Sequence, residues 1–238
     1  MCLTAPIKTF PPPTPGSRLE GVVRGYSYGS ESAGLRIAIL PDIYGCSPFY
    51  RSLAARYAEK GAYSLLIDPF AGFGELSTPT RADAFARRHK VHDKRFIDDF
   101  EAFITEHSIT AVVGFCLGAF YIFELARRHV LPELVGFYGF PQGMANIDPL
   151  PVPFDYLAMV KKPFTMLMGE KDEPVGEDNI RRLQEIAPGA PAMRLTTYPG
   201  VGHNFLSLID AVDEAARAVA YDSLSLADAI LLNNSRMT

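Results

Sequence analysis

Cysteine is scarce in this chain, with three in 238 residues: Cys2, Cys46 and Cys116. An odd count in a chain long enough to build its own core argues against a disulfide framework and for reduced thiols. No spacing among the cysteines and the five histidines resembles a zinc site, so neither a metal nor another cofactor is implied. A strong excess of one charge sign is lacking too. The formal net charge is −4 and there is no long basic block, which removes electrostatic support for binding nucleic acid or a polybasic-dependent membrane surface. A small molecule is the expected partner. No apolar run approaches the length of a membrane span, and residues 1–16 hold a proline cluster where a secretory leader would hold an apolar core. These absences point to a cytoplasmic protein, with a monomer favoured over an oligomer.

What is present alternates. Residues 1–18 read as a proline-rich arm, and 19–238 as a single α/β domain, since two domains in this length would both be small. Leu19 to Tyr28 alternates apolar and polar residues like an edge strand, and Arg36 to Leu40 reads as an interior strand. Pro48 to Glu59 has helical periodicity, with proline in its first turn and Gly61 as its stop. Tyr63 to Ile67 is the next strand. Helical material follows around Arg81 to Glu106, then a strand from Ile109 to Val113 and a helix from Ala119 to Arg128. Leu134 to Tyr138, Phe164 to Met168 and Ala192 to Tyr198 read as strands, with helices at Glu177 to Ile186 and around Ile209 to Ala229. Repeated strand–helix–strand predicts a mostly parallel central sheet with helices on both faces. The proline-rich stretch from Phe140 to Lys162 is the least regular and is expected to border the pocket.

Gly114-Phe115-Cys116-Leu117-Gly118 sits between a predicted strand and a predicted helix. Gly-x-Cys-x-Gly in that setting is the nucleophile elbow of the α/β-hydrolases with sulfur in place of oxygen. The start of the following helix carries partial positive charge, which favours thiolate over thiol. A lone cysteine in an apolar stretch is more often a small buried hydrophobe. The partners shift that balance, because this fold places nucleophile, acid and histidine in that chain order. Asp172 lies in the loop 169–175 after one late strand, and His203 lies in the glycine-rich loop 199–205 after the next. Parallel sheets put their sites at the carboxyl ends of strands, where all three fall. His89, His92, His107 and His129 lie in polar helical stretches and read as surface residues. Alone, Asp172 would read as a loop carboxylate or cap, and His203 as a satisfied loop histidine.

Taken together these residues resemble the dienelactone hydrolase family, the cysteine-dependent α/β-hydrolases also called carboxymethylenebutenolidases. The likeness runs from about Val22 to the final helix. It rests on Pro41-Asp42-Ile43-Tyr44-Gly45, Asp68-Pro69, the elbow, Tyr138-Gly139, Gly169-Glu170-Lys171-Asp172 and Gly202-His203-Asn204-Phe205. The resemblance implies a hydrolase of small lactones or esters, with a triad of Cys116, His203 and Asp172 and an acyl-enzyme intermediate. It implies oxyanion donors in the backbone N–H groups of Ile43 and Leu117. Asp42 stands where the family has a glutamate that takes the thiol proton. Its side chain is one methylene shorter, and a structural loop carboxylate is the alternative. Arg81 stands where the family has an arginine that binds the substrate carboxylate; a solvated helix-start residue is the alternative. Phe85, also at the substrate site, replaces a tyrosine and so lacks its hydroxyl. Ser207 is the nearest counterpart of a second carboxylate-binding arginine. Tyr44, Phe73 and Tyr138 are candidate pocket walls, with core packing as the alternative for each. With one anchor in place of two, a broad small-ester or thioester hydrolase remains open, as does a non-catalytic small-molecule binding protein on the same scaffold.

Overall fold

A computed structural model describes residues 4–76 and 79–233; Cys2 lies outside them. Strands β1 (Ser17–Leu19), β2 (Gly25–Tyr28), β3 (Arg36–Leu40), β4 (Tyr63–Ile67), β5 (Ala111–Phe115), β6 (Glu133–Phe137), β7 (Phe164–Gly169) and β8 (Met193–Tyr198) form one sheet in the order β1-β2-β4-β3-β5-β6-β7-β8. Strands β3 to β8 pair in parallel, while β2 runs antiparallel to β4 and β1 antiparallel to β2. The stretch expected as one edge strand is therefore a pair. It breaks at Gly21, whose φ of 137° turns the chain so that Leu19 returns opposite Gly25.

Alternation along the strands divides the core. On β3, Ala38 and Leu40 face one layer and Ile37 and Ile39 the other, and on β5 Val112 is set against Ala111 and Val113 in the same way. Both sets are buried, as expected for parallel strands covered on both faces. Helices α1 (Pro48–Glu59) and α6 (Glu214–Leu231) cover the face that holds Ile37 and Val113. Helices α2 (Arg81–Arg88), α3 (Asp93–Glu106), α4 (Leu117–Arg127) and α5 (Glu177–Ile186) contribute to the opposite layer. The segment before β1 joins the first layer: Ile7 and Phe10 are buried, the Phe10 ring lies 5.9 Å from Phe49, and the Thr9 hydroxyl donates to Asp210 at 2.6 Å.

Other differences from the expected elements have local causes. The helical stretch after residue 80 is two helices, α2 started by Thr80, whose hydroxyl accepts from the Asp83 N–H at 3.1 Å, and α3 resuming after the break at 89–92. The elbow has no loop. Strand β5 continues through Gly114 and Phe115, and α4 begins at Leu117, so one residue makes the whole turn. The last helix starts later than expected, after a 3-10 turn at Phe205–Asp210, with the Asp213 carboxylate accepting from the Ala216 N–H at 2.7 Å.

Helix α4 is buried from Leu117 to Ala126, and its apolar sequence on all sides fits a position against the sheet. Glu124, buried with it, is neutralised by Arg127 Nε at 2.8 Å and Arg128 Nε at 2.7 Å. The seat of α4 depends on two glycines. A Cβ on Gly118 would fall 2.0 Å from the Leu40 carbonyl oxygen, and one on Gly114 would fall 2.2 Å from the Gly118 oxygen. Gly118→Ala is expected to cost more than ~3 kcal/mol, above the usual range for overpacking because backbone is struck. Gly61, at φ 88° with open space where a Cβ would stand, should lose only about 1–2 kcal/mol on change to alanine. Urea denaturation of the two variants measures the contrast.

Candidate active site

The one-residue turn after β5 and the loops after β7 and β8, all at carboxyl ends of parallel strands, carry the candidate residues. Cys116 is the single residue between β5 and α4, with φ 54° and ψ −107°, a backbone state in which only tightly constrained non-glycine residues persist. Its neighbours supply the constraint. The Cys116 N–H donates to the Phe137 oxygen at 3.0 Å, the Phe120 N–H to the Cys116 oxygen at 3.0 Å, and the Gly118 N–H to the Pro41 oxygen at 3.1 Å. The last bond ties the first turn of α4 to the loop carrying Asp42 and Ile43. Leu117, as first residue of the helix, has an N–H with no intrahelical acceptor. Cys116 is buried at 3% exposure, and both it and Cys46 are free thiols.

Asp172 and His203 meet. His203 Nδ1 lies 2.8 Å and 3.0 Å from the two carboxylate oxygens of Asp172, with the histidine side chain 5% exposed and the carboxylate fully buried. Asp172 Oδ1 also accepts the Val175 N–H at 3.0 Å, a second contact that holds the carboxylate toward the imidazole. The two loops are zipped by backbone bonds from Glu170 N to Tyr198 O at 3.0 Å and from Lys171 N to Val201 O at 2.9 Å. They approach so closely that a Cβ on Gly169 would sit 2.5 Å from the Val201 oxygen.

Tyr138, with φ 45° and 1% exposure, packs its ring 4.9 Å from the His203 ring and 6.2 Å from Phe115, the residue before Cys116. It is thus both a core residue and a wall of the imidazole. Phe140, at the head of the proline-rich stretch, lies 5.7 Å from His203 on another side. Asn204, in the left-handed region at φ 69°, brings its Oδ1 to 3.5 Å from the Tyr138 hydroxyl. Neither Phe140 nor Asn204 stands out in the sequence as a site residue, although the His-Asn pair in a glycine-rich loop hints at the latter.

On the other side of the elbow, Asp42 is buried and its Oδ1 accepts the Tyr44 N–H at 2.8 Å, closing a tight turn with the Gly45 N–H on the Asp42 oxygen at 3.0 Å. Arg87, which does not stand out in the sequence either, holds this turn from outside. Its Nη2 donates to the Ile43 oxygen at 3.2 Å and its Nη1 to the Gly74 oxygen at 3.2 Å. Its one signal is spacing: Ala84, Arg87 and Arg88 share the buried face of α2, two of them charged. Burial draws the Arg87 pKa down, with the Asp68 carboxylate opposing.

The remaining expected residues lie further out. Arg81 is exposed at the first position of α2, its guanidinium 5.5 Å from the ring of half-buried Phe85, and it has no salt bridge among the described residues. Phe73 is 43% exposed on the loop after β4. Ser207 turns its hydroxyl back to the Asn204 oxygen at 2.9 Å. His89, His92 and His129 are exposed, and His107 rests 4.0 Å from the Phe103 ring. Among the described residues no group of His, Cys, Asp or Glu could hold a metal ion, and no helix is long and apolar enough to cross a membrane.

A mostly parallel sheet covered on both faces, a strained residue between strand and helix, and a buried Asp–His pair on the following strand ends define an α/β-hydrolase. The model of the dienelactone hydrolase family matches residues 23–228. Carboxymethylenebutenolidase 2 of Cupriavidus pinatubonensis is 43% identical over 233 residues, covering 98% of this chain and 99% of that protein. Carboxymethylenebutenolidase of Rhodococcus opacus is 30% identical over 231 residues, covering 91% of each. The chain belongs to the dienelactone hydrolase family and is a carboxylic ester hydrolase. A crystal structure of a candidate dienelactone hydrolase from Klebsiella pneumoniae shares the fold, with a TM-score of 0.74 at 18% identity over 89% of this chain and 93% of that one.

Replacing Arg87 by methionine removes the donors on the Ile43 and Gly74 carbonyls while keeping an apolar stem. The expected loss is about 1–3 kcal/mol, read as a lower urea midpoint.

Proposed function

We propose that the protein hydrolyses small lactones and esters through a Cys116–His203–Asp172 triad and an acyl-enzyme. The observation that carries this reading is the Asp172–His203 pair, a buried carboxylate gripping Nδ1 and so leaving Nε2 as the ring nitrogen for proton transfer. Support for Cys116 as nucleophile comes from its strained elbow backbone, a state of the kind that clusters at active sites. The names of the relatives, both carboxymethylenebutenolidases, support a lactone substrate.

In the cycle, Cys116 Sγ loses its proton to His203 Nε2 or to the Asp42 carboxylate and attacks the carbonyl carbon. The C=O π pair moves to oxygen, where the Leu117 and Ile43 N–H groups donate to it. One such donor is typically worth ~2.7–4 kcal/mol. Collapse expels the ring or ester oxygen, which takes up the same proton from whichever group accepted it, His203 or Asp42. Water then attacks the thioester with His203 as base, and the thiol is restored. Asp42 as proton acceptor has a geometric cost, since one of its oxygens already serves the Tyr44 amide. Arg87 acts as a positioning residue by bracing the Ile43 turn, and Tyr138 and Phe140 box the imidazole.

Arg81 is the reading's candidate for the substrate carboxylate, since its guanidinium is exposed, without a salt bridge, and steadied by Phe85. A guanidinium can grip a carboxylate through two parallel hydrogen bonds. The exposure of Arg81 and the inward turn of Ser207 also favour a second reading, a hydrolase tolerant of neutral esters or thioesters. Tyr44, Phe73 and Phe85 complete the proposed substrate surroundings. The domain is proposed to be single and cytoplasmic, with a monomer slightly favoured and the oligomeric state left open.

Brief iodoacetamide treatment at neutral pH should label Cys116, read by mass spectrometry, and Cys116→Ala should abolish ester hydrolysis. Labelling confined to Cys2 or Cys46, or full activity in Cys116→Ala, refutes the triad. If instead the unmutated protein hydrolyses no ester in a panel and Cys116→Ala keeps its ligand affinity, a binding protein on this scaffold replaces the enzyme. Asp172→Asn should cut turnover by roughly 10³–10⁴-fold by releasing the wrong imidazole tautomer. Comparing dienelactone with a neutral aryl ester in Arg81→Ala separates the two substrate readings: a raised KM for the charged substrate alone favours the first, and no change for either favours the second.

A further inference from the structure

A cavity of about 800 Å³ opens beyond the ends of β2 and β4, and none of Cys116, Tyr138, Asp172 and His203 lines it. Its volume is in the range of ligand sites. Two guanidiniums stand in its wall. Arg51, half-buried, lies 3.9 Å from the centre of the Tyr26 ring with its Nε on the Cys46 oxygen at 3.0 Å. Arg87, 9% exposed, lies 4.2 Å from the centre of the Phe70 ring. Neither has a carboxylate within 4.0 Å among the described residues, whereas Arg56, Arg88, Arg127 and Arg128 each have one. Two cations held against aromatic faces, without a counter-ion in contact, are a ready receptor for an anion.

The other charges refine the ligand. Arg18 and Arg24 line the mouth, together with the exposed Glu20 and Glu75. Deeper, Asp68 presents a carboxylate with Oδ1 accepting the Phe70 N–H at 3.0 Å, and burial raises its pKa. A bare anion would be repelled by Asp68. A molecule that offers a carboxylate to the arginines and a hydroxyl to Asp68 satisfies both, and Tyr44 and Leu76 supply apolar wall for its body.

We propose that this cavity, which shares Tyr44 and Arg87 with the proposed substrate surroundings but holds none of Cys116, Asp172 and His203, is a second ligand site for a small hydroxy acid. Binding joins the acid's carboxylate to the Arg51 and Arg87 guanidiniums, and its hydroxyl donates to Asp68. No covalent step is involved, and the site does not depend on Cys116 being the nucleophile.

The probe is 3-hydroxybenzoate, with benzamide as a neutral comparator, titrated calorimetrically into the full chain. The unmutated protein and Cys116→Ala should bind 3-hydroxybenzoate with equal affinity, and benzamide should bind at least ~10-fold more weakly. Arg51→Gln, checked for an unchanged melting profile, should weaken 3-hydroxybenzoate by at least ~10-fold. Should that variant not fold, Arg18→Gln combined with Arg24→Gln at the exposed mouth is expected to weaken binding about threefold. The proposal is overturned by unaltered affinity in the folded variant, by loss of binding in Cys116→Ala, or by no binding at millimolar probe. Because the readout is affinity and not turnover, its failure is distinguishable from failure of the triad.

Discussion

The close approach of backbone to backbone at the elbow is the constraint on which the site depends. Gly118 lies so near Leu40, and Gly114 so near Gly118, that the start of α4 is pressed onto the ends of β3 and β5. This contact forces the whole reversal of direction onto Cys116 and accounts for its positive φ. It also draws the Pro41 carbonyl onto the Gly118 amide, bringing the Asp42–Ile43 turn to the helix N-terminus. Any side chain at either glycine would open the elbow and part the nucleophile candidate from its neighbouring N–H groups.

A second close contact, between the loops after β7 and β8, does for the Asp–His pair what the elbow does for the thiol. Gly169 and Gly202 let Lys171 and Val201 run side by side, and their hydrogen bonds carry Asp172 and His203 into register. Burial of the carboxylate then has a compensating partner set, the Val175 amide and the imidazole, as a charge removed from water requires. Tyr138 closes the space between the two assemblies, its ring against His203 on one side and Phe115 on the other.

Elements with strong periodicity are legible in the chain before any coordinates. Arg36–Leu40, Pro48–Glu59, Tyr63–Ile67 and Glu177–Ile186 fall where alternation, an initial proline and terminal glycine put them. The elbow and the order of Asp172 and His203 are legible for a chemical reason, since a one-residue turn leaves room only for glycine two positions either side of the nucleophile candidate. Less legible is Arg87, because a charged residue on a helix normally signals a solvated face, and only packing against Phe70 and the Ile43 carbonyl gives it another task. The edge pair reads as one strand because alternation continues across Gly21, and a glycine's φ is not written in its neighbours.

By itself the sequence determined the alternation of strands and helices, the family, and the placement of Cys116, Asp172 and His203 at strand ends. Those follow from local chemistry: side-chain period, glycine where backbone must bend, and residue types in a set order. Only the tertiary structure decided that both Asp172 oxygens lie within 3.0 Å of His203 Nδ1, that Arg81 lies exposed while Arg87 lies buried, and that Arg51 faces a cavity without a counter-ion in contact. Such facts depend on distances between segments remote in the chain, and those distances are set by how the two layers pack around the sheet.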